Sequence, residues 1–414
     1  MSVLRPNLAD ETTIWDQTNP NEHFFEEVRD DDDASYVFLA VPSFKFQVVY
    51  GSSGTFTLPI AGGGAGYNHN FTVNWGDGTP VSTVTSYDDP DRIHTYAGAG
   101  TYDITMTGTC EWFAFQWGGD RQRIRKLLSF VGDIGFKVLN FYGCDQLNTI
   151  VPLGPKASLT TANYMFGGCT LVTSIPSRMF AGCPAITTFR YTFQLCTGLT
   201  SLPADLFRYN TLTTQFAWTF VQCTNLTSLP ADLFRYNINA TGIDKTFNTC
   251  TALASLPADL FRYNINVTRF DFAFASCSSL TSLPVDLFRY NINVTNFAST
   301  FLSCTGLTSL PTDLLRYNTI AWNFDSTFLD CRKLQLNDNI FWGAGERDTR
   351  FHDQSINFSQ CFYRNFFTGT QGTAPDLWNC DFGIGTPTKT SCFAGSGNTT
   401  LSLTNYADIP VAWK

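Results

Sequence analysis

The stretch Phe216-x-x-x-Phe220-x-x-Cys223-x-x-Leu226-x-x-Leu229-Pro-x-x-Leu233-Phe234 decides the fold, because close copies of it recur along the chain every 27 residues. The cysteine marks the spacing, and its copies are Cys169, Cys196, Cys223, Cys250, Cys277, Cys304 and Cys331. A fixed period of roughly 20–50 residues predicts a stack of identical supersecondary units. We therefore expect most of the chain to form one solenoid, an architecture that typically presents extended binding surfaces.

A single copy predicts a short strand followed by tight turns. Its first apolar positions are separated by steps of 3 and 4, which indicates a turn of helix. Leu226–Leu229 reads as a short strand that Pro230 ends. Asp232–Tyr236 fits a helical or 3₁₀ turn, and Asn237 is a residue type that can end such a turn in a left-handed conformation.

The pattern Phe-x-x-Cys-(Thr/Ser)-x-Leu-(Thr/Ala)-Ser-Leu-Pro, spread over about residues 140–335, resembles the BspA-like leucine-rich repeats of bacterial surface proteins. The period lies in the leucine-rich range of roughly 20–29 residues. The resemblance implies a right-handed solenoid with a 27-residue period, and binding rather than catalysis.

The cysteines read as one internal column of reduced thiols. The chain has 13 of them, an odd number, and seven follow the repeat. A buried free cysteine behaves as a small hydrophobic residue with a weak donor. The histidines are only four and lie far apart, so we expect no zinc site, and no other metal or cofactor.

Composition excludes several classes of function. A net charge of −9 argues against nucleic-acid binding, which uses basic surfaces. The sequence has no apolar run long enough for membrane insertion, and the N-terminus lacks the apolar core of a signal peptide, so we expect a chain made in a cytoplasm. It also has no nucleophile elbow, phosphate-binding loop or HExxH motif, so we expect no enzyme.

The stretch 36–120 is rich in short aromatic and β-branched runs separated by glycine-rich turns, which predicts a small β-sandwich. Three landmarks follow in order, Asn74-Trp-Gly-Asp-Gly-Thr79, His94-Thr-Tyr96 and Gly100-Thr-Tyr-Asp-Ile-Thr105. They resemble the polycystic-kidney-disease (PKD) type domain, which implies an immunoglobulin-like spacer or adhesion module. Asp77 is expected to hold its turn by bonding backbone amides.

The chain divides into four predicted parts: an attachment segment at 1–35, the sandwich at 36–120, the repeats at 121–335, and degenerate copies with a cap at 336–414. The acidic run Asp30–Asp33 is expected to be part of a polar, irregular linker. A calcium site is the alternative for this run, although EF-hand ligand spacing is absent.

The N-terminal pattern Leu4-Arg-Pro-Asn, Ile14-Trp15 and Asp30-Asp-Asp-Asp-Ala-Ser-Tyr36-Val resembles the leader of tailed-bacteriophage structural proteins. It implies a virion protein, present in many copies or as a homo-oligomer. We expect exposure on the capsid or tail. Its N-terminal region would contact other virion proteins, and its solenoid would bind a host-surface protein or glycan, or a neighbouring subunit. A bacterial surface adhesin and a virion-associated glycan depolymerase are the alternatives, and the latter would need carboxylates clustered on one face.

Comparison of the copies shows where the sequence varies. The two positions between the phenylalanine columns change most, and six of their residues are candidate binding residues: Arg190, Tyr191, Trp218, Lys245, Asp271 and Phe272. Aromatic side chains are typical anchors of interfaces. The alternative is sequence drift on a surface that binds nothing.

The arginine column is expected to be structural. Each arginine has an aspartate three residues before it, as in Asp205/Arg208 and Asp232/Arg235, and that spacing permits pairing. A binding stripe is the alternative, but unpaired arginines stacked about 5 Å apart would repel one another.

Overall fold

The computed structural model describes residues 23–30, 33–61, 66–116, 118–365, 372–395 and 403–414, with side chains from residue 41 onward. The chain is mostly β with little helix, and within these ranges every helix is a short 3₁₀ helix. These helices are Pro90–Arg92, Arg121–Arg123, Arg347–Thr349, Leu377–Asn379, Tyr406–Asp408 and Val411–Trp413.

The described strands all lie before residue 141. They are β1 (His23–Asp30), β2 (Asp33–Ala40), β3 (Ser43–Tyr50), β4 (Gly54–Thr57), β5 (His69–Asn74), β6 (Ser82–Val84), β7 (Ile93–Tyr96), β8 (Gly100–Cys110), β9 (Trp112–Ala114), β10 (Ile124–Val131) and β11 (Val138–Asn140). An antiparallel sheet has the order β10-β3-β8-β5-β6. Three two-stranded pairs accompany it: β1 with β2, β4 with β7, and β9 with β11, the last parallel.

One face of the large sheet is apolar because its strands alternate between buried and exposed positions. In β3, Phe44, Phe46 and Val48 are fully buried while the residues between them are partly exposed. Phe113 of β9 packs edge-on against Phe44, with 5.2 Å between the ring centroids. This period of two buries one face of the sheet.

The three landmarks of the sandwich region meet in one cluster. The Trp75 indole lies parallel to the His94 ring at 4.8 Å, and the Tyr96 hydroxyl donates to the Trp75 carbonyl at 3.0 Å. Asp77 accepts from the Thr79 amide at 3.1 Å and lies 2.7 Å from His94 Nε2. Asp77 thus holds its own turn, as expected, and also ties that turn to the neighbouring strand.

Strands β1 and β2 pair antiparallel, from His23 opposite Ala40 to Asp30 opposite Asp33. The sequence analysis expected an irregular segment up to residue 35, and its polar composition hid this pairing because backbone groups make it. Residues 1–22, and Asp31 and Asp32 of the acidic run, lie outside the described residues, so the attachment and calcium hypotheses stay predictions.

The repeats begin directly on the large sheet. The β10 edge strand pairs in parallel with the first repeat at Lys126 and Thr149, and the Leu127 amide donates to the Thr149 carbonyl at 2.9 Å. The sheet edge is thereby covered, and it sets the register of the copies that follow.

From Phe141 onward, successive copies stack as rungs, and we call residues 141–365 the repeat stack. Phenylalanine rings in equivalent positions lie parallel, as with Phe220 and Phe247 at 5.6 Å and Phe247 and Phe274 at 5.6 Å. One column of parallel bridges joins neighbouring rungs: Thr161, Thr188, Gln215, Gly242, Arg269, Asn296, Asn323, Asn357 and Thr388.

The rungs contain consecutive reverse turns instead of the expected helical turns. The amides of Thr219 and Cys223 donate three residues back, to Phe216 and Phe220. The alternate amides of Trp218 and Gln222 donate to the next rung, at the carbonyls of Asp244 and Asn248. Because every second amide leaves the rung, a continuous helix cannot form; the steps of 3 and 4 arise from successive turns.

The degenerate copies continue the stack despite their longer spacing. Phe328, Phe362 and Phe393 lie parallel at 5.6 and 5.3 Å. The Phe393 amide donates to the carbonyl of Trp413, whose indole is buried beside it. The C-terminal aromatic residues therefore cover the last described rung, which would otherwise expose an apolar face.

Candidate binding surface

The interior of the repeat stack holds a column of fully buried asparagines: Asn210, Asn237, Asn264, Asn291 and Asn318. Each side-chain amide donates to two carbonyls of the rung before it; Asn264 Nδ2 reaches Phe234 O at 3.0 Å and Asn237 O at 2.9 Å. Asn237 is therefore an interior donor, and its φ is not positive as the sequence analysis expected for a helix stop. The sequence carried a signal for this column, since the asparagine recurs at the same 27-residue interval in five successive copies.

Threonine and cysteine form two further interior columns. Thr246 Oγ1 donates to Phe216 O of the rung before it at 2.9 Å, and Cys250 Sγ donates to Phe220 O at 3.2 Å. All 13 cysteines are free and buried. Burial raises the pKa of Cys250 to about 12 and that of Cys223 well above its usual range. Neutral thiols are poor nucleophiles and poor metal ligands, so this column is structural.

The residues of the variable column have positive φ, a conformation that side chains other than glycine and asparagine disfavour. Its members are Tyr164, Tyr191, Trp218, Lys245, Phe272, Ser299 and Ser326, with φ of 58°, 60°, 64°, 56°, 55°, 54° and 57°. Each is the third residue of a four-residue turn, the position that a type II turn requires to have positive φ. Glycine or asparagine normally stands there, because other residues lose about 1–2 kcal/mol.

The large side chains of this column stack on one another. The rings of Tyr164 and Tyr191 lie parallel at 4.5 Å, and Trp218 follows at 5.3 Å from Tyr191. The Lys245 ammonium lies 4.1 Å from the Trp218 ring centroid and 5.0 Å from that of Phe272. Their variation predicted an exposed column, but each of these side chains is half-buried. The ring faces contact each other, so a partner would meet ring edges.

The other two candidate residues differ in accessibility. Arg190 is exposed, and its guanidinium lies 5.8 Å from the Tyr191 ring centroid. Asp271 is buried and accepts from Arg269 through both carboxylate oxygens, at 2.8 and 3.1 Å. Because Arg269 occupies Asp271, we exclude this carboxylate from the binding surface.

Asp244 and Asp271 occupy equivalent positions in neighbouring rungs, directly before Lys245 and Phe272, and a depolymerase would need a pair of carboxylates of this kind. Burial, and then the charge of Asp271, raise the pKa of Asp244. A glycosidase pairs such an acid with a second carboxylate that is free to act. Asp271 is instead held by Arg269, so the pair reads as part of the column's packing.

The arginine column pairs largely as expected. Arg235–Asp232, Arg262–Asp259 and Arg289–Asp286 each join at 3.2 Å. The copy before these three differs in its contacts. Asp205 accepts from the Arg178 amide at 3.2 Å, and the Arg208 guanidinium lies 5.0 Å from the Tyr236 ring centroid. Arg235 likewise lies over Tyr263 of the following rung. These exposed pairs stabilise little singly, since water screens them.

In the part of the chain that the structure describes, no helix is long and apolar enough to cross a membrane. Over the same residues, no three His, Cys, Asp or Glu side chains gather as a metal site requires.

Comparison with known proteins adds little. No protein-family model matches the chain, and no curated protein does. Among solved structures, the chain is similar to a leucine rich cell surface protein from Faecalibacterium prausnitzii A2-165, with 15% identity over 67% of this chain and 87% of that one. The TM-score is 0.22, and a likeness of that size carries no argument about fold or function.

Proposed function

We propose that this chain is a non-enzymatic structural protein of a tailed-phage virion. Its repeats form a right-handed leucine-rich solenoid with a 27-residue period, and its N-terminal strands form a PKD-like sandwich. The N-terminal region attaches the protein to other virion proteins, and the solenoid binds a host-surface protein or glycan. The leader-like N-terminal pattern supports the virion assignment, and the stacked rungs support the binding role.

One observation carries the binding role. Aromatic side chains occupy Tyr191, Trp218 and Phe272, where the backbone favours glycine or asparagine. The flanking phenylalanine columns hardly change from copy to copy, while this column holds tyrosine, tryptophan, lysine, phenylalanine and serine in different rungs. Strained positions persist where the surrounding structure or a function holds them. Large side chains that are kept at strained positions, and that differ between rungs, are consistent with selection for binding a partner.

Replacement of the three aromatics by asparagine tests this role without straining the turn. We expect the variant Tyr191→Asn/Trp218→Asn/Phe272→Asn to keep its circular dichroism spectrum and lose at least about tenfold in affinity for host cells, or about 1.4 kcal/mol. The matched control is Leu195→Asn/Gln222→Asn/Ser276→Asn, at positions with φ of 58°, 60° and 61° in the second turn. Equal binding by both variants would overturn the role of the column.

Immunogold labelling of purified particles tests the virion assignment. We expect label on intact particles of the phage that encodes the chain. Label found only in the unassembled fraction of the lysate would reject the assignment, whatever the binding experiment shows.

A further inference from the structure

A second surface of the repeat stack carries three columns of identical side chains. Thr214, Thr241 and Thr268 form the first column, Asn239, Asn266 and Asn293 the second, and Ile238, Ile265 and Ile292 the third. The threonines and asparagines line an open groove of about 600 Å³, with Leu212 at one end. The groove crosses several rungs, so its natural occupant is an elongated molecule with a repeating structure.

Hydrogen-bond directions define what the groove offers. Thr241 Oγ1 gives its only hydrogen to Thr214 O at 3.3 Å and accepts from Gln215 Nε2 at 3.0 Å, so its remaining lone pair can only accept from a ligand. Asn266 Nδ2 donates inward to Ile238 O at 3.0 Å, and Asn293 repeats this bond to Ile265 O at 2.9 Å. The groove is therefore richer in outward acceptors than in outward donors, and it suits a ligand with many hydroxyl donors.

The absence of charge and the exposed apolar side chains restrict the class of ligand further. The segments 211–214, 238–241, 265–268 and 292–295 contain no charged residue. Ile238, Ile265 and Ile292 are 54%, 50% and 56% exposed, which leaves an apolar strip beside the polar groove. Trp322 continues the threonine column, since its amide donates to Thr295 O at 3.1 Å, and its side chain is 49% exposed.

We infer that this groove binds a strand of neutral polysaccharide along the axis of the stack. Sugar hydroxyls donate to the threonine and asparagine oxygens, while the C–H faces of the sugar rings pack on the isoleucine column and on Trp322. An anionic glycan would place its charge against acceptors on a chain of net charge −9. The groove shares no lining residue with the aromatic column, which is formed by Tyr191, Trp218 and Phe272.

Affinity electrophoresis of the full chain tests the inference, with dextran, hydroxyethylcellulose or galactomannan in the gel. We expect at least one of these neutral polymers to retard the protein, and polygalacturonate not to. Thr241→Lys should abolish the retardation, because a lysine would fill the groove. The matched control is Thr227→Lys, because Thr227 makes the same bond to Thr200 O at 3.3 Å on another exposed column.

Trp322→Ala provides a second variant that leaves the rungs intact, and it should weaken retardation by about tenfold or more. The inference is overturned if no neutral polymer retards the protein, if polygalacturonate alone does, or if both lysine variants behave alike. The aromatic-column variant should retain polysaccharide binding, so failure here is separable from failure of the proposed host-binding column.

Discussion

Asn264 and Asn266 lie two residues apart on one rung and make the same bond, yet one is inside the repeat stack and the other outside. Both side-chain amides donate to a carbonyl of the preceding rung at 3.0 Å. Asn264 is fully buried and recurs in every close copy, whereas the position of Asn266 is leucine or isoleucine in the outer copies. A carbonyl that loses its donor can turn to water only at the surface, so burial decides which bond the fold needs.

The largest difference in stability between a buried and an exposed substitution is expected for arginine. The buried Arg350 guanidinium donates to Phe341 O at 3.1 Å and to Asn318 O at 2.9 Å, where the next asparagine of the ladder would bind. Burial lowers its pKa to about 10, so it stays charged at neutral pH. Arg350→Met should lower the free energy of unfolding by about 3 kcal/mol or more, because charged hydrogen bonds contribute about 1.5–3 kcal/mol each.

The matched surface change is Arg262→Met, which removes an exposed ion pair with Asp259. We expect its urea-unfolding midpoint to equal that of the parent chain within error. A similar loss in both variants would show that Arg350 does not cap the asparagine ladder.

The next largest difference in stability is expected between substitutions of Asn264 and Asn266. Asn264→Leu leaves the buried carbonyls of Phe234 and Asn237 without this donor, which costs about 1–3 kcal/mol for each unsatisfied group. Asn266→Leu should change stability by less than about 0.5 kcal/mol, as surface substitutions usually do. Urea unfolding followed by circular dichroism measures both, and equal effects would contradict the distinction.

The cysteines allow a comparison of thiol reactivity between the native and the unfolded protein. Because all 13 thiols are inside, a disulfide reagent added to the native protein at pH 8 should label none of them rapidly. Burial raises their pKa, as at Cys196 and Cys304 to about 12, so the reactive thiolate is scarce as well as covered. Unfolding in guanidinium should release all 13, and rapid labelling of several native thiols would place them outside the core.

Some of the architecture could be predicted from local sequence, and the failures have physical causes. The 27-residue recurrence brings Phe220 over Phe247 and Cys223 near Cys250, because residues in equivalent positions of a stack share a column. The expected helical turns were wrong, because every second amide bonds to the next rung. Strand β1 and the first residues of β2 were missed, because His23–Asp30 and the residues up to Ser35 are mostly polar and show no alternation.

The candidate binding surface stays a prediction from the sequence. Variation among the copies is enough to single out Tyr191, Trp218 and Phe272. It could not show that their faces stack or that Arg269 holds Asp271, since both depend on side chains of neighbouring rungs and turns. The groove around Thr241 was missed altogether, because its threonines and asparagines read as ordinary polar surface until the rungs align them.

The sequence by itself determined which apolar positions are interior, because a column of phenylalanine, leucine or cysteine repeated at one interval is buried as a unit. Only the tertiary structure decided what each polar column does. Asn264 is an interior support and Asn266 lines an open groove, although the sequence around them is the same Asn-Ile-Asn. Both side-chain amides donate to carbonyls of the rung before them, and only the stacking of the rungs decides whether such a bond is buried or faces water.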